Sequence, residues 1–260
     1  MKINFSKRQG TGNDFIIINN FDGRFSSINP TTIRDLCDRK FGIGADGLIL
    51  INPSEHADFD MVFYNPDGSQ SFCGNGARCA VSFFVDTMQA PNVYRLNAFD
   101  GMHDFTIDGD VIGIKMKAID TITAFGDDFV LNTGSPHFVR FSTDISTGKV
   151  IEVGRDIRYS PSYRDNGINV NLVSTVSDTE ISIATYERGV ENETLSCGTG
   201  ATACAMVWAH KTQLSSGEIA VTTKGGPLYV AFEKKEDRFE NIWLKGPATL
   251  VFHGEIKLTI

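Results

Sequence analysis

The chain carries one short motif twice, as CGNGARCA at residues 73–80 and as CGTGATACA at residues 197–205. Each copy follows an alternating, strand-like run that ends in a tyrosine and a polar turn. Each copy also leads into small apolar residues that are typical of a buried helix, Ala80–Met88 and Ala201–Ala209. The repeated order of strand, turn, cysteine, glycines and helix predicts two similar halves.

The cysteine that begins each motif is well placed for acid–base chemistry. A helix N-terminus has unpaired backbone N–H groups and a partial positive charge, and both stabilise a thiolate. The two glycines that follow expose those N–H groups to a ligand, and a carboxylate suits such a site. We therefore predict that Cys73 and Cys197 place a thiol on each side of one cleft.

A structural role is the alternative for every cysteine, because a free cysteine often packs as a small apolar side chain. We predict that role for Cys37, Cys79 and Cys204. A single Cys-Gly-x-Gly motif would also favour the structural interpretation, since short glycine motifs recur by chance. The duplication of the whole arrangement favours the functional interpretation for Cys73 and Cys197.

Composition limits the class of protein. The 260 residues allow one large domain or two ordinary ones, and 41% apolar residues suffice for hydrophobic cores. The net charge of −8 and the lack of a basic stripe argue against nucleic-acid binding. The first residues predict no signal peptide, and no apolar run approaches the length of a membrane span. Five cysteines without paired spacing predict no disulfide framework and no zinc site, which favours the cytoplasm.

Several segments of the first half leave alternatives open. The turn between the strands predicted at residues 3–8 and 16–18 contains Asn13, whose amide either shapes a hairpin or reaches into a site. Residues 31–40 predict a helix. The glycine-rich loop at residues 41–47 matches neither phosphate-binding pattern, so we interpret it first as a structural turn.

The second half contains further polar candidates. Residues 118–128 are polar and turn-prone, and we place the boundary between the halves there. His137 is either an ordinary hydrogen-bonded side chain or a group that tunes a thiol by charge or by hydrogen bonding. Asn169 and Asn171 share one face of a predicted strand and are either exposed or site-lining. Short strands are also predicted in two longer segments, residues 92–119 and 228–260.

Taken together, these motifs resemble those of the diaminopimelate epimerase family, cofactor-independent epimerases of lysine and cell-wall biosynthesis. The resemblance covers essentially the whole length and rests on both cysteine motifs and on QGTGNDF (9–15), GIGAD (42–46), NPDGS (65–69), SPH (135–137) and ERG (187–189). It implies an α/β (α+β) fold with two pseudo-symmetric lobes, each a curled, mostly antiparallel sheet around a central helix. The expected lobes are residues 1–118 and 119–249, with a C-terminal strand at about 250–260 returning to the first.

The resemblance also implies roles for individual residues. Cys73 and Cys197 are expected to be the acid/base pair, with His137 and Glu187 beside the thiols and adjusting them. Substrate contacts are expected from Asn13, Asn65, Gly74, Asn75, Asn169, Glu187, Arg188, Gly198 and Thr199. No metal or cofactor is implied, and members of the family are commonly homodimers.

The sequence departs from the family pattern in four places. Ser135 stands where the family often has Asn, and Gly47 stands where some members have a substrate-binding Gln. The segment from Asn65 to Cys73 is one residue shorter than usual, and that from Glu187 to Cys197 is one residue longer. Because each change falls in a loop, we expect shifted contacts and unchanged chemistry.

The implied reaction converts LL-diaminopimelate into meso-diaminopimelate. One thiolate removes the α-proton, and the other thiol returns a proton to the opposite face. Three alternatives stay open: a proline or hydroxyproline racemase, an isomerase of the phenazine-biosynthesis type, and an amino-acid-binding module without catalysis. The first type commonly has His where Asn75 stands, and the second lacks the cysteine pair.

Overall fold

The structure is a computed structural model that describes residues 2–89 and 95–257. Within those ranges it has four helices: α1 (Pro30–Cys37), α2 (Gly74–Met88), α3 (Thr147–Arg158) and α4 (Gly198–Thr212). The same ranges contain seventeen strands: β1 (Lys2–Gly10), β2 (Asn13–Asn19), β3 (Gly47–Asn52), β4 (Phe59–Tyr64), β5 (Arg95–Ala98), β6 (Gly101–Asp108), β7 (Val111–Lys115), β8 (Thr123–Phe125), β9 (Asp128–Asn132), β10 (Pro136–Phe141), β11 (Asn169–Ser177), β12 (Glu180–Glu187), β13 (Asn192–Thr194), β14 (Ser216–Thr223), β15 (Gly226–Lys235), β16 (Arg238–Pro247) and β17 (Thr249–Lys257).

The chain divides into two compact units, Met1–Ile114 with Gly246–Ile260 and Lys115–Lys245. In the first unit the strands pair in the order β17-β1-β2-β3-β4-β5-β6-β7. In the second the order is β8-β9-β10-β11-β12-β14-β15-β16. Among these pairings of the described strands, only the third and the fifth are parallel in either unit. This repeated, mostly antiparallel topology confirms the predicted fold class.

Each parallel pairing is bridged by a helix, because parallel neighbours need a crossover connection. In the first unit α1 joins β2 to β3 and α2 joins β4 to β5; α3 and α4 take the same places in the second. The interior helices are α2 and α4, which lie within the two largest apolar clusters. Small and apolar residues of α4 lie on all of its faces, a composition that is typical of a buried helix.

The alternation of strand β11 aims its amides at α4. Val170 and Leu172 pack against Val150 of α3. Because side chains alternate along a strand, Asn169 and Asn171 point to the opposite face of the sheet. Both amides are buried. The exposed alternative for this pair is therefore wrong, and a site-lining role stays a prediction.

Several predicted boundaries are wrong. The helices α2 and α4 begin at the first glycine of each motif, before the predicted starts at Ala80 and Ala201, because the cysteine itself is the N-cap. The helix predicted at residues 31–40 ends at Cys37, because the backbone of the next residue, Asp38, is extended. Helix α3 was not predicted at all. The predicted strand segments 92–119 and 228–260 extend, at residues 92–94 and 258–260, outside the described residues.

Candidate active site

Both cysteines that begin the repeated motifs are helix N-caps. Cys73 precedes α2 and Cys197 precedes α4, with extended backbone φ values of −132° and −125°. Gly74 and Gly198 are therefore the first helical residues, where backbone N–H groups have no acceptor within the helix. Each thiol lies beside a group of backbone donors at the positive end of a helix dipole.

In the first unit, Cys73 contacts Asn13. The Cys73 thiol donates to Asn13 Oδ1 at 3.6 Å, and its sulfur accepts from the N–H of Gly76 at 3.4 Å. Asp46 orients the amide of Asn13, because its carboxylate accepts from Asn13 Nδ2 at 2.6 Å. Three N–H groups of the glycine-rich loop bond to carbonyls at the end of α1. That loop is a structural turn, as predicted, and it contacts the site through Asp46.

Asn75 connects this group to a buried cation. Its Nδ2 donates to Asn13 Oδ1 at 3.5 Å, and its Oδ1 accepts from Arg78 Nη2 at 2.9 Å. Arg78 is fully buried, and within the described residues its Nη1 has no hydrogen-bond acceptor. Burial lowers the pKa of Arg78, while a thiolate charge at Cys73 acts to raise it. Sequence reasoning did not single out Arg78, although it lies within the quoted motif.

Asn65 lies apart from these contacts in the turn after β4. Its Nδ2 donates to Ser69 Oγ at 3.1 Å and to Ser71 Oγ at 3.2 Å. The amide is thus oriented by its own loop, the one that is a residue shorter than usual. Its role in substrate binding stays a prediction.

In the second unit, polar side chains form a continuous series that ends at Cys197. The sulfur of Cys197 lies 3.5 Å from Thr199 Oγ1, which lies 2.9 Å from His137 Nε2. On the other side of the ring, Asn171 Nδ2 lies 3.1 Å from His137 Nδ1. The structure therefore places one hydroxyl group between His137 and the thiol. Sequence reasoning noted the position of Asn171 but gave it no role.

His137 is an uncharged member of this series. Burial is the largest influence and lowers the pKa of His137 to about 3. The nearby positive charge of Arg188 lowers this pKa further. Of the two ways in which His137 was expected to tune a thiol, hydrogen bonding is available and charge is not.

A second polar group surrounds Arg188. Asn169 Nδ2 donates to Ser135 Oγ at 2.9 Å, and Asn169 Oδ1 accepts from the backbone N–H of Arg188 at 2.9 Å. The guanidinium donates to Ser135 Oγ at 3.4 Å and to the carbonyl of Asn166 at 2.9 Å. A Cβ added at Gly167 would lie 2.4 Å from Arg188 Cδ, so the glycine leaves room for this side chain. Ser135 therefore joins two predicted substrate-binding residues.

Glu187 is the last residue of β12, and the turn after it is held by another glutamate. The carboxylate of Glu191 accepts from Arg158 Nε and the N–H of Gly189, each at 3.2 Å. It also accepts from Tyr186 Oη at 3.2 Å. Glu191 thereby fixes the turn that carries Glu187 and Arg188. The backbone of Glu191 is left-handed, with a φ of 57°, and nothing in the sequence predicted this conformation.

Gly47 departs from the family pattern for a steric reason. A Cβ at this position would lie 2.2 Å from Phe63 Cε2 and 2.7 Å from the carbonyl oxygen of Tyr64. Both distances are shorter than real Cβ contacts, so this backbone leaves no room for a glutamine.

The other three cysteines have the structural role predicted for them. All are buried, and burial raises the pKa of Cys37 to about 11 and that of Cys79 to about 12. Burial also raises the pKa of Cys204 well above its usual value. These thiols therefore stay protonated at neutral pH and act as apolar side chains.

Two further features are absent from the described parts of the chain. No group of three or more His, Cys, Asp or Glu side chains there is arranged to hold a metal ion. No helix in those parts is both long and apolar enough to cross a membrane.

Comparison with known proteins gives the family. The model of the family described as diaminopimelate epimerase matches residues 5–110 and 129–251. The chain belongs to the diaminopimelate epimerase family. Among its relatives, the diaminopimelate epimerase of Flavobacterium psychrophilum is 47% identical over 96% of this chain and 98% of that protein. The diaminopimelate epimerase of Aquifex aeolicus is 37% identical over 97% of each chain.

Solved structures that resemble this diaminopimelate epimerase family member extend the fold to other enzymes. A phenazine biosynthesis protein of the PhzF family from Bacillus anthracis superposes with a TM-score of 0.72 at 12% identity, covering 99% of this chain and 100% of the other. A probable proline racemase from Agrobacterium radiobacter gives 0.69 at 14% identity, covering 99% and 93%. At such low identity these likenesses show the fold alone.

Proposed function

We propose that this chain interconverts LL-diaminopimelate and meso-diaminopimelate without a cofactor, a step in lysine and peptidoglycan-precursor biosynthesis. The observation that carries the proposal is that each unit places one cysteine, Cys73 or Cys197, at the N-cap of its central helix. The chain's membership of the diaminopimelate epimerase family, an isomerase family, gives that pair of thiols its substrate.

In the proposed reaction, a thiolate takes the proton from the α-carbon and becomes a thiol. The electron pair of the broken C–H bond stays on the carbon and spreads into the adjacent carboxylate. The second thiol then gives its proton to the opposite face of this carbanion and becomes a thiolate. The configuration of the carbon is inverted, and proton exchange with water restores the starting protonation states.

The helix N-termini supply the electrostatic part of the proposed mechanism. Positioned proton transfer contributes about 10²–10⁴-fold, which is too little for so weak a carbon acid. Backbone N–H groups after Cys73 and Cys197 would stabilise the negative charge of the carboxylate as the carbanion forms. We expect Asn75 and Thr199, at matching places in the two motifs, to contact this end of the substrate.

The distal end of the substrate carries a second amino-acid group. We propose that the guanidinium of Arg188 pairs with the distal carboxylate, since arginine matches carboxylate geometry. Asn169 and Ser135, which bond to Arg188, would complete that contact. Asn13 and Asn65 are the proposed contacts from the first unit.

We further propose that the protein is a cytoplasmic homodimer. Strand β17 exposes Leu250, Val251 and Phe252, although it pairs along its length with β1. Clusters of exposed apolar side chains mark interaction surfaces, and a second copy of this chain is the proposed partner. Sedimentation of the wild type should give a dimer, and Val251→Lys should give a monomer. A monomeric wild type would contradict this.

The epimerase proposal is tested by incubating the protein with LL-diaminopimelate in D₂O. We expect meso-diaminopimelate with solvent deuterium at the inverted α-carbon, because the proton comes from a thiol that exchanges with water. Meso product without deuterium would exclude the two-thiol scheme. L-Proline serves as the control substrate, and racemisation of proline in place of diaminopimelate would favour the racemase alternative. Binding of diaminopimelate without exchange would favour the non-catalytic module.

A further inference from the structure

We propose that Asn171 is a positioning residue for Cys197. It fixes neutral His137 in the tautomer that carries its proton on Nε2, and His137 thereby directs the hydroxyl proton of Thr199 toward the Cys197 sulfur. This inference rests on the proposed function only for the acid/base role of Cys197.

The orientation of the Asn171 amide is set by its other partners. Asn171 Nδ2 donates to the backbone carbonyl of Phe138 at 2.9 Å, and a carbonyl oxygen can only accept. Asn171 Oδ1 accepts from Thr185 Oγ1 at 2.9 Å. The NH₂ group must therefore be the one that faces His137. Because Asn171 is fully buried, water is not available to replace these bonds.

The tautomer of His137 follows from that orientation. Asn171 Nδ2 donates to His137 Nδ1 at 3.1 Å, so Nδ1 must be the unprotonated, accepting nitrogen. The buried ring is neutral, since burial lowers the pKa of His137 to about 3. A neutral imidazole carries one proton, which therefore lies on Nε2. From there it is donated to Thr199 Oγ1 at 2.9 Å.

Thr199 in turn directs its own hydroxyl proton toward the thiol. Its oxygen accepts from His137, which leaves the hydroxyl proton to be donated elsewhere. The Cys197 sulfur lies 3.5 Å from Thr199 Oγ1. A hydrogen bond donated to the charged form of an acid favours that form, so the series favours the Cys197 thiolate. Two other titratable or charged groups act electrostatically on this series: Arg188, which follows β12, acts on His137, and Cys204 of α4 interacts with Cys197.

The tautomer is measured directly on the wild-type protein. With ¹⁵N-labelled histidine, NMR shifts and couplings of the ring nitrogens show which nitrogen carries the proton. We expect His137 to have a protonated Nε2 and a bare Nδ1 between about pH 5 and pH 8. A proton on Nδ1 would overturn the proposal. The measurement needs no substrate, so its outcome is independent of whether the chain is an epimerase.

The effect on the thiol is measured with two variants and a matched control. Asn171→Leu removes the donor to Nδ1, and Thr199→Val removes the hydroxyl with almost no change of shape. Thr202→Val is the control, because Thr202 lies one turn further along α4 and donates only to the carbonyl of Gly198. The readout is the pH dependence of iodoacetamide alkylation, resolved by peptide mass spectrometry so that Cys197 and Cys73 are followed separately.

We expect the alkylation midpoint of Cys197 to rise by about one pH unit in both variants, which means about tenfold less thiolate at a given pH. The Cys73 midpoint should move less than that of Cys197, and Thr202→Val should behave as the wild type. An unchanged Cys197 midpoint in Thr199→Val would overturn the proposal. If Asn171→Leu does not fold, the wild-type tautomer and Thr199→Val decide between these outcomes.

Discussion

The two cysteine motifs share a scaffold and differ in the polar groups around the thiol. Each motif has the same place in the strand order, and its cysteine caps the central helix of its own unit. At the third motif position Asn75 corresponds to Thr199, and at the sixth Arg78 corresponds to Thr202. The first unit thus has the buried guanidinium of Arg78 near Cys73. In the second unit the uncharged ring of His137 is linked to Cys197 through a hydroxyl group.

This difference shows which part of the site the fold dictates. The helix N-termini and the cysteines come from the repeated backbone, so they are alike in both units. The neighbouring side chains differ: Cys73 donates to an amide oxygen, and Cys197 lies next to a hydroxyl group. The proposed two-thiol reaction needs one thiol and one thiolate at the same time, and unlike surroundings are one way to obtain this.

The largest expected effect comes from removing either thiol. We expect Cys73→Ser and Cys197→Ser each to lower kcat/KM by about 10²–10⁴-fold, the usual contribution of positioned proton transfer. Similar losses would mean that the two unlike surroundings serve one reaction. Circular dichroism should show an intact fold, and Cys37→Ala serves as a control outside the motifs. A normal rate in either serine variant would rule out the two-thiol scheme.

A smaller effect is expected from adding a methyl group to one motif. A Cβ at Gly200 would lie 2.7 Å from Asn171 Oδ1, and Asn171 is held by several hydrogen bonds. We therefore expect Gly200→Ala to lower kcat/KM by about 10-fold or more and to cost about 1–3 kcal/mol of unfolding free energy.

Gly76→Ala is the matched control in the other unit. The nearest atom to a Cβ at Gly76 is Ile49 Cδ1 at 3.2 Å, the flexible end of a side chain. Since alanine also favours a helix by about 1 kcal/mol over glycine, this change should be close to neutral in urea denaturation. Equal losses in both variants would show that the glycines serve helix geometry and not the Asn171 series.

Arg78→Met probes the charge in the first unit. Because the thiolate of Cys73 acts to raise the pKa of Arg78, the guanidinium in turn stabilises that thiolate. We expect the alkylation midpoint of Cys73 to rise by about one pH unit and kcat/KM to fall by about tenfold. Thr202→Val, at the matching position of the other motif, should change neither value. Stability should also fall, by about 1–3 kcal/mol, since the buried acceptor Asn75 Oδ1 loses the donor that Arg78 provides.

Much of this arrangement could be predicted from the sequence, because the duplication exposed it. The repeated motifs predicted both cysteines as site residues, both central helices and the division into two similar halves. The strand alternation placed Asn169 and Asn171 on one face. A single-copy motif would not have separated Cys73 from Cys79, since the position at a helix N-cap divides them in the folded chain.

The remaining contacts depend on atoms that are far apart in sequence. Asp46 orients Asn13 across 33 positions, and Asn171 contacts His137 across 34. No spacing rule predicts such pairs, because the register of neighbouring strands decides them. Helix α3 was missed although a local signal was present: Val150, Val153 and Ile157 recur at helical spacing and pack in one apolar cluster.

The last prediction concerns the uncharged imidazole of the second unit. The pKa of His137 is about 3 in the folded chain, below the ordinary value of 6.5. Between these two pH values the unfolded state therefore binds a proton that the folded state does not bind. Its contribution to stability is complete above pH 6.5 and is lost as the pH falls toward 3. Below about pH 6 the unfolding free energy of the wild type should fall by about 1.4 kcal/mol per pH unit more than that of His137→Gln. His56→Gln, the same change at an exposed position, should keep the wild-type slope in urea titrations. Parallel curves for the wild type and His137→Gln would mean that the ring accepts a proton in place, and the contrast with the buried cation of the first unit would be lost.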